Sequence, residues 1–300
     1  MSKLIIRKIK RDELLESMQL ILRSANDLRM KAGRKPWDGT FSEVPPFNYH
    51  LYDTDSDGQW GAFFEGKMVG YSASVVREKQ WYLAYLFVEP KFQLKGVGRK
   101  LLERAWAYGK DEVESHALCT FPYNETALAL YSSFGMMPTH PIFEMYKKIE
   151  KQSPVRATAL IVEEDSARKS ILRMNKLDKE IRGYPHLADI EFFAGDPKTK
   201  IYQFYHGTDW IGYSIINSGK LIAPAGATRP EYLPDILTES FRICLKGGVD
   251  FCRVWIGGPN AAAYKRAISL GFKIGELAVF LSTKPYSDLY RYLPAHLAIF

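Results

Sequence analysis

Gln93-Leu94-Lys95-Gly96-Val97-Gly98-Arg99-Lys100 sets two glycines one residue apart among three cations, directly ahead of an amphipathic run that ends near Trp106. Residues of these types at this spacing can hold an anion. Glycine lets the backbone approach a ligand closely, and the first N–H groups of a helix have no intrahelical acceptor. The helix dipole adds about half a positive charge at that end. The segment is not a dinucleotide-binding Gly-x-Gly-x-x-Gly, because the first glycine is missing, and no Gly-Lys-Ser/Thr follows to make a Walker loop. A plain strand-to-helix turn could use the same glycines.

Further on, Asn124-Glu-Thr-Ala127-Leu-Ala-Leu-Tyr131-Ser-Ser-Phe-Gly135-Met136 reads as a helix capped by Asn124 and stopped by Gly135. A phenol, with a reference pKa near 10, can also donate a proton to a departing thiolate, so Tyr131 is either a packing residue or an acid. Taken in this order, the two segments resemble the GNAT superfamily of N-acetyltransferases. They match its Gln/Arg-x-x-Gly-x-Gly/Ala and Asn-x-x-Ala-x-x-x-Tyr-x-x-x-Gly-Phe signatures, with Met136 in place of the final Phe.

The resemblance implies direct transfer of an acetyl group from acetyl-CoA, a substrate, to a primary amine of a small molecule or peptide, with no metal. It implies that Gln93, Leu94, Lys95, Gly96, Val97, Gly98, Arg99 and Lys100 hold the pyrophosphate. The main chain of the strand Leu83–Glu89 would hold pantetheine, with Phe87 and Val88 as cofactor-binding residues and the polarising N–H near Val88. Asn124 would bond the pantetheine arm or cap its helix, and Tyr131 would be the acid. No base is assigned: Tyr82 stands where many relatives carry a glutamate, while Glu89 and a water relay both stay open. The alternative is a non-catalytic acyl-CoA sensor or interaction module. The acceptor is not legible, because loops such as Gly33–Asp57 carry no transferable motif.

The elements that must position these residues read β-α-β-β-β-α-β-α-β in the N-terminal half. Lys3–Lys10 alternates as a strand, and Arg11–Lys31 has helical spacing at Leu14, Leu15, Met18 and Leu22. Gly33–Phe47 reads as a loop. Trp60–Glu65, Met68–Arg77 and Trp81–Glu89 read as consecutive strands, His116–Phe121 as another, and Ile142–Lys148 as the strand that closes the unit.

After a polar linker at Glu150–Val155 the pattern starts again. Val69-Gly-Tyr-Ser72 recurs as Ile211-Gly-Tyr-Ser214, and Asn124-x-x-Ala127 with Gly135 recurs as Asn260-x-x-Ala263 with Gly271. Two correspondences in one order at nearly one offset indicate a duplicated fold. The expected class is a mixed α/β fold of two tandem GNAT-like domains, each a mostly antiparallel mixed sheet with helices on both faces. Residues 1–150 are expected to be catalytic and 151–300 a degenerate, non-catalytic partner. Where the second copy needs its cradle, the chain reads Ala223-Pro-Ala-Gly-Ala-Thr-Arg-Pro-Glu-Tyr-Leu-Pro234, and prolines supply no N–H. Ala267 takes the position of Tyr131. Such a pair is expected as a monomer with pseudo-two-fold tandem domains, or as a homodimer.

Composition narrows the partners. The net charge of +7 is spread along the chain, and its densest cluster, Lys91–Arg104, already has a phosphate ligand to answer to, which argues against nucleic acid. Three scattered cysteines argue for a reducing compartment, and no long apolar run suggests a membrane span, so a cytoplasmic location is expected. Asp53-Thr-Asp-Ser-Asp-Gly58 copies the start of a calcium-binding loop. Phe64 falls where the bidentate glutamate belongs, so an acidic turn entering a strand is the expectation.

Overall fold

The computed structural model describes residues 3–149, 155–285 and 288–299. The expected linker at Glu150–Val155 lies outside them, except for Val155. In chain order the first half gives β1 (Ile5–Lys8), α1 (Leu14–Lys31), α2 (Pro46–Asp55), β2 (Gln59–Phe64), β3 (Lys67–Arg77) and β4 (Gln80–Val88). These are followed by α3 (Val97–Trp106), β5 (Ser115–Thr120), α4 (Glu125–Ser132) and β6 (Met137–Lys148). The second half gives β7 (Ile161–Glu164), α5 (Arg168–Arg182), α6 (Leu187–Gly195), β8 (Thr199–His206), β9 (Asp209–Asn217) and β10 (Leu221–Ala227). Then come α7 (Leu233–Lys246), β11 (Phe251–Gly257), α8 (Ala261–Ser269), β12 (Lys273–Ser282) and β13 (Tyr292–Leu293). Up to β12 the order of elements simply repeats, as the duplicated motifs require.

The chain forms two compact units, Met1–Cys119 with Tyr123–Met137, and Thr120–Pro122 with Pro138–Phe300. In the first unit β1, β2, β3 and β4 pair antiparallel in that order, and β5 joins β4 in parallel. The second unit repeats this with β7, β8, β9 and β10 antiparallel and β11 parallel to β10.

One strand departs from the sequence reading. β6 was expected to close the first unit, but it pairs antiparallel with β11, from Ile142 opposite Gly257 to Lys148 opposite Phe251. It therefore lies in the second unit's sheet, between β11 and β12. Local pattern made it a strand, but only the edges on offer in the folded chain choose its neighbour.

α2 is the other departure, since it begins inside the expected loop Gly33–Phe47. Pro46 sits in its first turn, where the missing N–H is no loss and a fixed φ suits the helix. Two adjacent prolines read as a break and in fact start an element.

The first unit's sheet has a core on each face, because neighbouring residues of a strand point oppositely. Phe63, Met68 and Tyr71 pack with Leu14 and Met18 of α1. Ala62, Val69 and Val88 pack with Val97 and Leu101 of α3. Leu101 is fully buried, and burial of this kind contributes about 1.5–3 kcal/mol per large aliphatic side chain. Gly70 permits the close approach: a Cβ there would lie 2.8 Å from Cδ1 of Leu101.

The acidic stretch before β2 is fully engaged in the first unit. Asp53 bonds Arg11 at 3.0 Å, and Asp57 pairs with Lys8. Asp55, 2% exposed, accepts from Arg77 at 2.7 Å, from the Val76 N–H at 2.9 Å and from the Tyr108 hydroxyl at 3.0 Å. These aspartates point to separate partners, and Asp55 holds the end of α2 against β3.

Candidate active site

β4 keeps two different neighbours for two different lengths. On one side its pairing with β3 runs from Gln80 to Val88. On the other, its parallel pairing with β5 stops at Leu83 opposite Leu118. Ala84–Val88 therefore leave β5, and a gap opens at the carboxyl ends of two parallel strands, the place where open α/β sheets take ligands. The Glu89 N–H donates to the Val69 carbonyl at 2.9 Å, so strand alternation directs the Val88 N–H to the opposite edge, into the gap. The same alternation turns the Phe87 main chain toward β3, and its ring packs 6.3 Å from that of Tyr85.

The Val88 carbonyl is held from two directions. Gln93 Nε2 donates to it at 2.9 Å and Ser24 Oγ at 3.0 Å. Gln93, the first residue of the cradle motif, thus ties the turn to the end of β4. Ser24 was missed from sequence, and no local signal could have found it, because its partner lies far along the chain.

The turn itself uses left-handed backbone at Leu94 (φ 59°) and Gly96 (φ 78°). Gly96 is the N-cap of α3, and the first helical bond runs from the Lys100 N–H to the Gly96 carbonyl at 3.1 Å. The N–H groups of Val97, Gly98 and Arg99 precede that bond and have no acceptor within the helix. A Cβ on Gly98 would lie 3.7 Å from Cγ2 of Val88 and 3.8 Å from Cδ2 of Leu130, so the glycine faces the space between the end of β4 and α4.

The cations around the turn divide. Lys95 lies 5.6 Å above the Phe92 ring, and Arg99 bonds Ser133 Oγ at 3.1 Å. Lys100 lines a shallow depression with Ile6, Glu103, Arg104 and Ala107, away from the first turn. The structure thus brings together Val88, Gln93, Gly96, Val97, Gly98 and Arg99, leaves Leu94 87% exposed, and turns Lys100 aside.

α4 supplies the other wall. Asn124 Oδ1 accepts from the Ala127 N–H at 3.3 Å and caps the helix. Among the described residues its Nδ2 donors have no partner, so the cap and a ligand contact are compatible rather than alternatives. Tyr131 is 5% exposed, and its hydroxyl likewise has no partner among the described residues. Burial pushes the phenol well above its ordinary value, so it stays protonated through the working pH range.

Two neighbours are already constrained. Burial pushes the Cys119 thiol, at the end of β5, up to about 12, which keeps it protonated. Glu89 is paired with Arg23 at 3.2 Å.

The second unit builds the same corner differently. β10 meets β11 in register only at Leu221 opposite Arg253. A short 3-10 turn at Pro230–Tyr232 leads into α7, whose first turn contains Pro234. No Gly-x-Gly stands there. Asn260 caps α8 through the Ala263 N–H at 2.9 Å, as Asn124 caps α4, and Ala267 is fully buried. Sequence reasoning did not foresee what lies against β10, namely β13, with Leu293 opposite Ala225 and Tyr292 opposite Gly226.

Residues 22–136 match the acetyltransferase (GNAT) family pattern, which spans α1 through α4 and thus every element of the corner. No curated protein sequence matches the chain. Solved structures share its fold nearly end to end. A Pyrococcus horikoshii protein, provisionally described as an acetyltransferase, has a TM-score of 0.78 at 16% identity, over 99% of this chain and 96% of its own. A GCN5-related N-acetyltransferase from Sphaerobacter thermophilus has 0.68 at 16%, over 96% and 98%. A tandem GNAT protein from the clavulanic acid biosynthesis pathway has 0.60 at 13%, over 96% and 100%. At such identities the likeness establishes the fold. Residues 22–136 thus match the GNAT acetyltransferase family, and the chain as a whole shares the fold of a tandem GNAT protein.

Proposed function

We propose that the first unit transfers the acetyl group of acetyl-CoA directly to a primary amine of a small molecule or peptide, and that the second unit does not catalyse. One observation carries the reading: β4 leaves β5 after Leu83, which aims the Val88 N–H into a gap beside the bare first turn of α3. An acyl thioester needs a donor at its carbonyl oxygen, anion binding for its pyrophosphate, and amide partners along its arm. Val88, the turn Gln93–Arg99, and Asn124 would supply these in turn.

Attack by the neutral amine forms the C–N bond as the C–S bond breaks, and the thiolate takes a proton from Tyr131. The protonated Cys119 thiol favours direct transfer over an acyl-enzyme. No side chain of the corner stands out as the base that takes the amine's proton: Glu89 is held by Arg23 and Tyr82 is 4% exposed. That same observation favours the second reading, an acyl-CoA sensor without turnover.

Release of free thiol from acetyl-CoA, followed against a panel of amines, polyamines, aminoglycosides and peptides, tests the proposal. Amine-dependent release supports transfer. Tight CoA binding with no release across the panel supports the sensor and overturns the enzyme.

A further inference from the structure

The second unit opens the same gap between parallel strands as the first, and the chain itself lies in it. β13 pairs with β10 and packs against β11. The Ala227 N–H donates to the Arg291 carbonyl at 2.9 Å, which extends the pairing to the end of β10. Leu289, Tyr292 and Leu293 are all at most 2% exposed. Leu289 seats on Gly257, where a Cβ would lie 3.0 Å from its Cδ1. Arg291 Nη1 donates to the Thr228 carbonyl at 3.1 Å, just where β10 gives way to the turn that lacks a cradle.

Asn260 identifies what is being imitated. Its position repeats that of Asn124, and both cap their helices through Oδ1. The Nδ2 of Asn124 has no partner among the described residues. The Nδ2 of Asn260 donates to the carbonyls of Leu289 at 3.2 Å and Tyr290 at 3.1 Å. A pantetheine arm carries two amide groups, and a peptide strand offers the same alternation of carbonyl and N–H.

We propose that the slot between β10 and β11 is a peptide-binding site, and that the chain's own segment Asp288–Leu293 fills it in the place a pantetheine arm takes in the first unit. The assignment rests on the reading of the first gap as the acyl-CoA site. It accounts for a second unit that keeps the opened strands and the asparagine cap while lacking the phosphate turn: the occupant brings backbone amides and apolar side chains but no phosphate. The second slot is thereby closed to acyl-CoA by steric occupation as well as by loss of the cradle.

Hydrogen exchange on the full chain, read by mass spectrometry with and without saturating CoA, tests this. Without CoA, peptides covering 221–229 and 288–293 should exchange at least about a hundredfold slower than unstructured chain. CoA should slow exchange at 96–99 and leave 221–229 and 288–293 unchanged. Asn260→Asp keeps an acceptor for the Ala263 N–H and removes the donors to Leu289 and Tyr290. It should speed exchange at 288–293 at least about tenfold while α8 keeps its rates.

Free-chain rates at 288–293 in the parent, acceleration there on adding CoA, or two CoA molecules bound per chain would each overturn the assignment. Absence of any CoA effect at 96–99, with 288–293 still protected, would instead strike the reading of the first gap and leave the seated segment standing.

Discussion

Gly98→Ala separates a glycine kept for the fold from one kept for a ligand. Gly98 lies in the first turn of α3 with ordinary helical backbone, and an added methyl would sit at 3.7 and 3.8 Å from Val88 and Leu130, which is normal van der Waals contact. The fold therefore has room for it. Alanine in place of glycine in a helix interior gains about 0.5–1 kcal/mol, and less in a first turn, so stability should hold or rise slightly.

Binding should move the other way. The methyl projects into the space between the end of β4 and α4, beside N–H groups that an anion must approach to about 2.9 Å. Loss of two charge-assisted hydrogen bonds, at about 1.5–3 kcal/mol each, amounts to about 3–6 kcal/mol. At about 1.4 kcal/mol per decade, that weakens CoA roughly 10²–10⁴-fold. Calorimetric titration with CoA and urea unfolding of the same preparations measure the two quantities. Gly96 is the poorer probe, because its φ of 78° makes any side chain strained whatever the ligand does. A Gly98→Ala protein that binds CoA within threefold of the parent, or that loses more than about 2 kcal/mol of stability, would refute the reasoning.

Other perturbations address neighbouring parts of the argument. Tyr131→Phe should lower kcat by about 10²–10⁴-fold with CoA affinity nearly kept, and a rate within threefold of the parent would reduce Tyr131 to packing. Because burial raises its pKa, the parent's rate should show no loss from Tyr131 ionisation below about pH 10, as a pH–rate profile checks. Asp55→Ala should cost about 3–5 kcal/mol in chemical denaturation, since it removes the buried carboxylate that accepts from Arg77, the Val76 N–H and Tyr108; calcium or a chelator should leave the parent's melting temperature unchanged. His116, stacked on Trp106 at 3.7 Å between centroids, is lowered from 6.5 to about 4 by burial. The unfolded chain then takes up its proton first as pH falls, so this contribution is whole above about pH 6.5 and is lost toward pH 4, by about 1–3 kcal/mol. Melting curves across that range should fall more steeply for the parent than for His116→Phe, and parallel curves would sink the assignment.

The sequence by itself determined the features that depend on near neighbours. Gly96 and Gly98 ahead of an amphipathic run dictate a strand-turn-helix with a bare first turn, because backbone freedom and helix periodicity act over a few residues. Asn124 and Asn260 dictate their caps for the same reason, and their repetition exposed the duplication. Tertiary structure decided what depends on which edges meet. β6 has the same apolar alternation whichever sheet receives it, and only the competing edges set it beside β11. The Val88 N–H faces a gap because pairing on one side of β4 outlasts pairing on the other, a difference no local pattern encodes. Tyr292 and Leu293 are too short a run to read as a strand. They become one because β10 offers unpaired backbone groups in a buried slot, where leaving those groups unsatisfied would cost more than ordering the chain that pairs them.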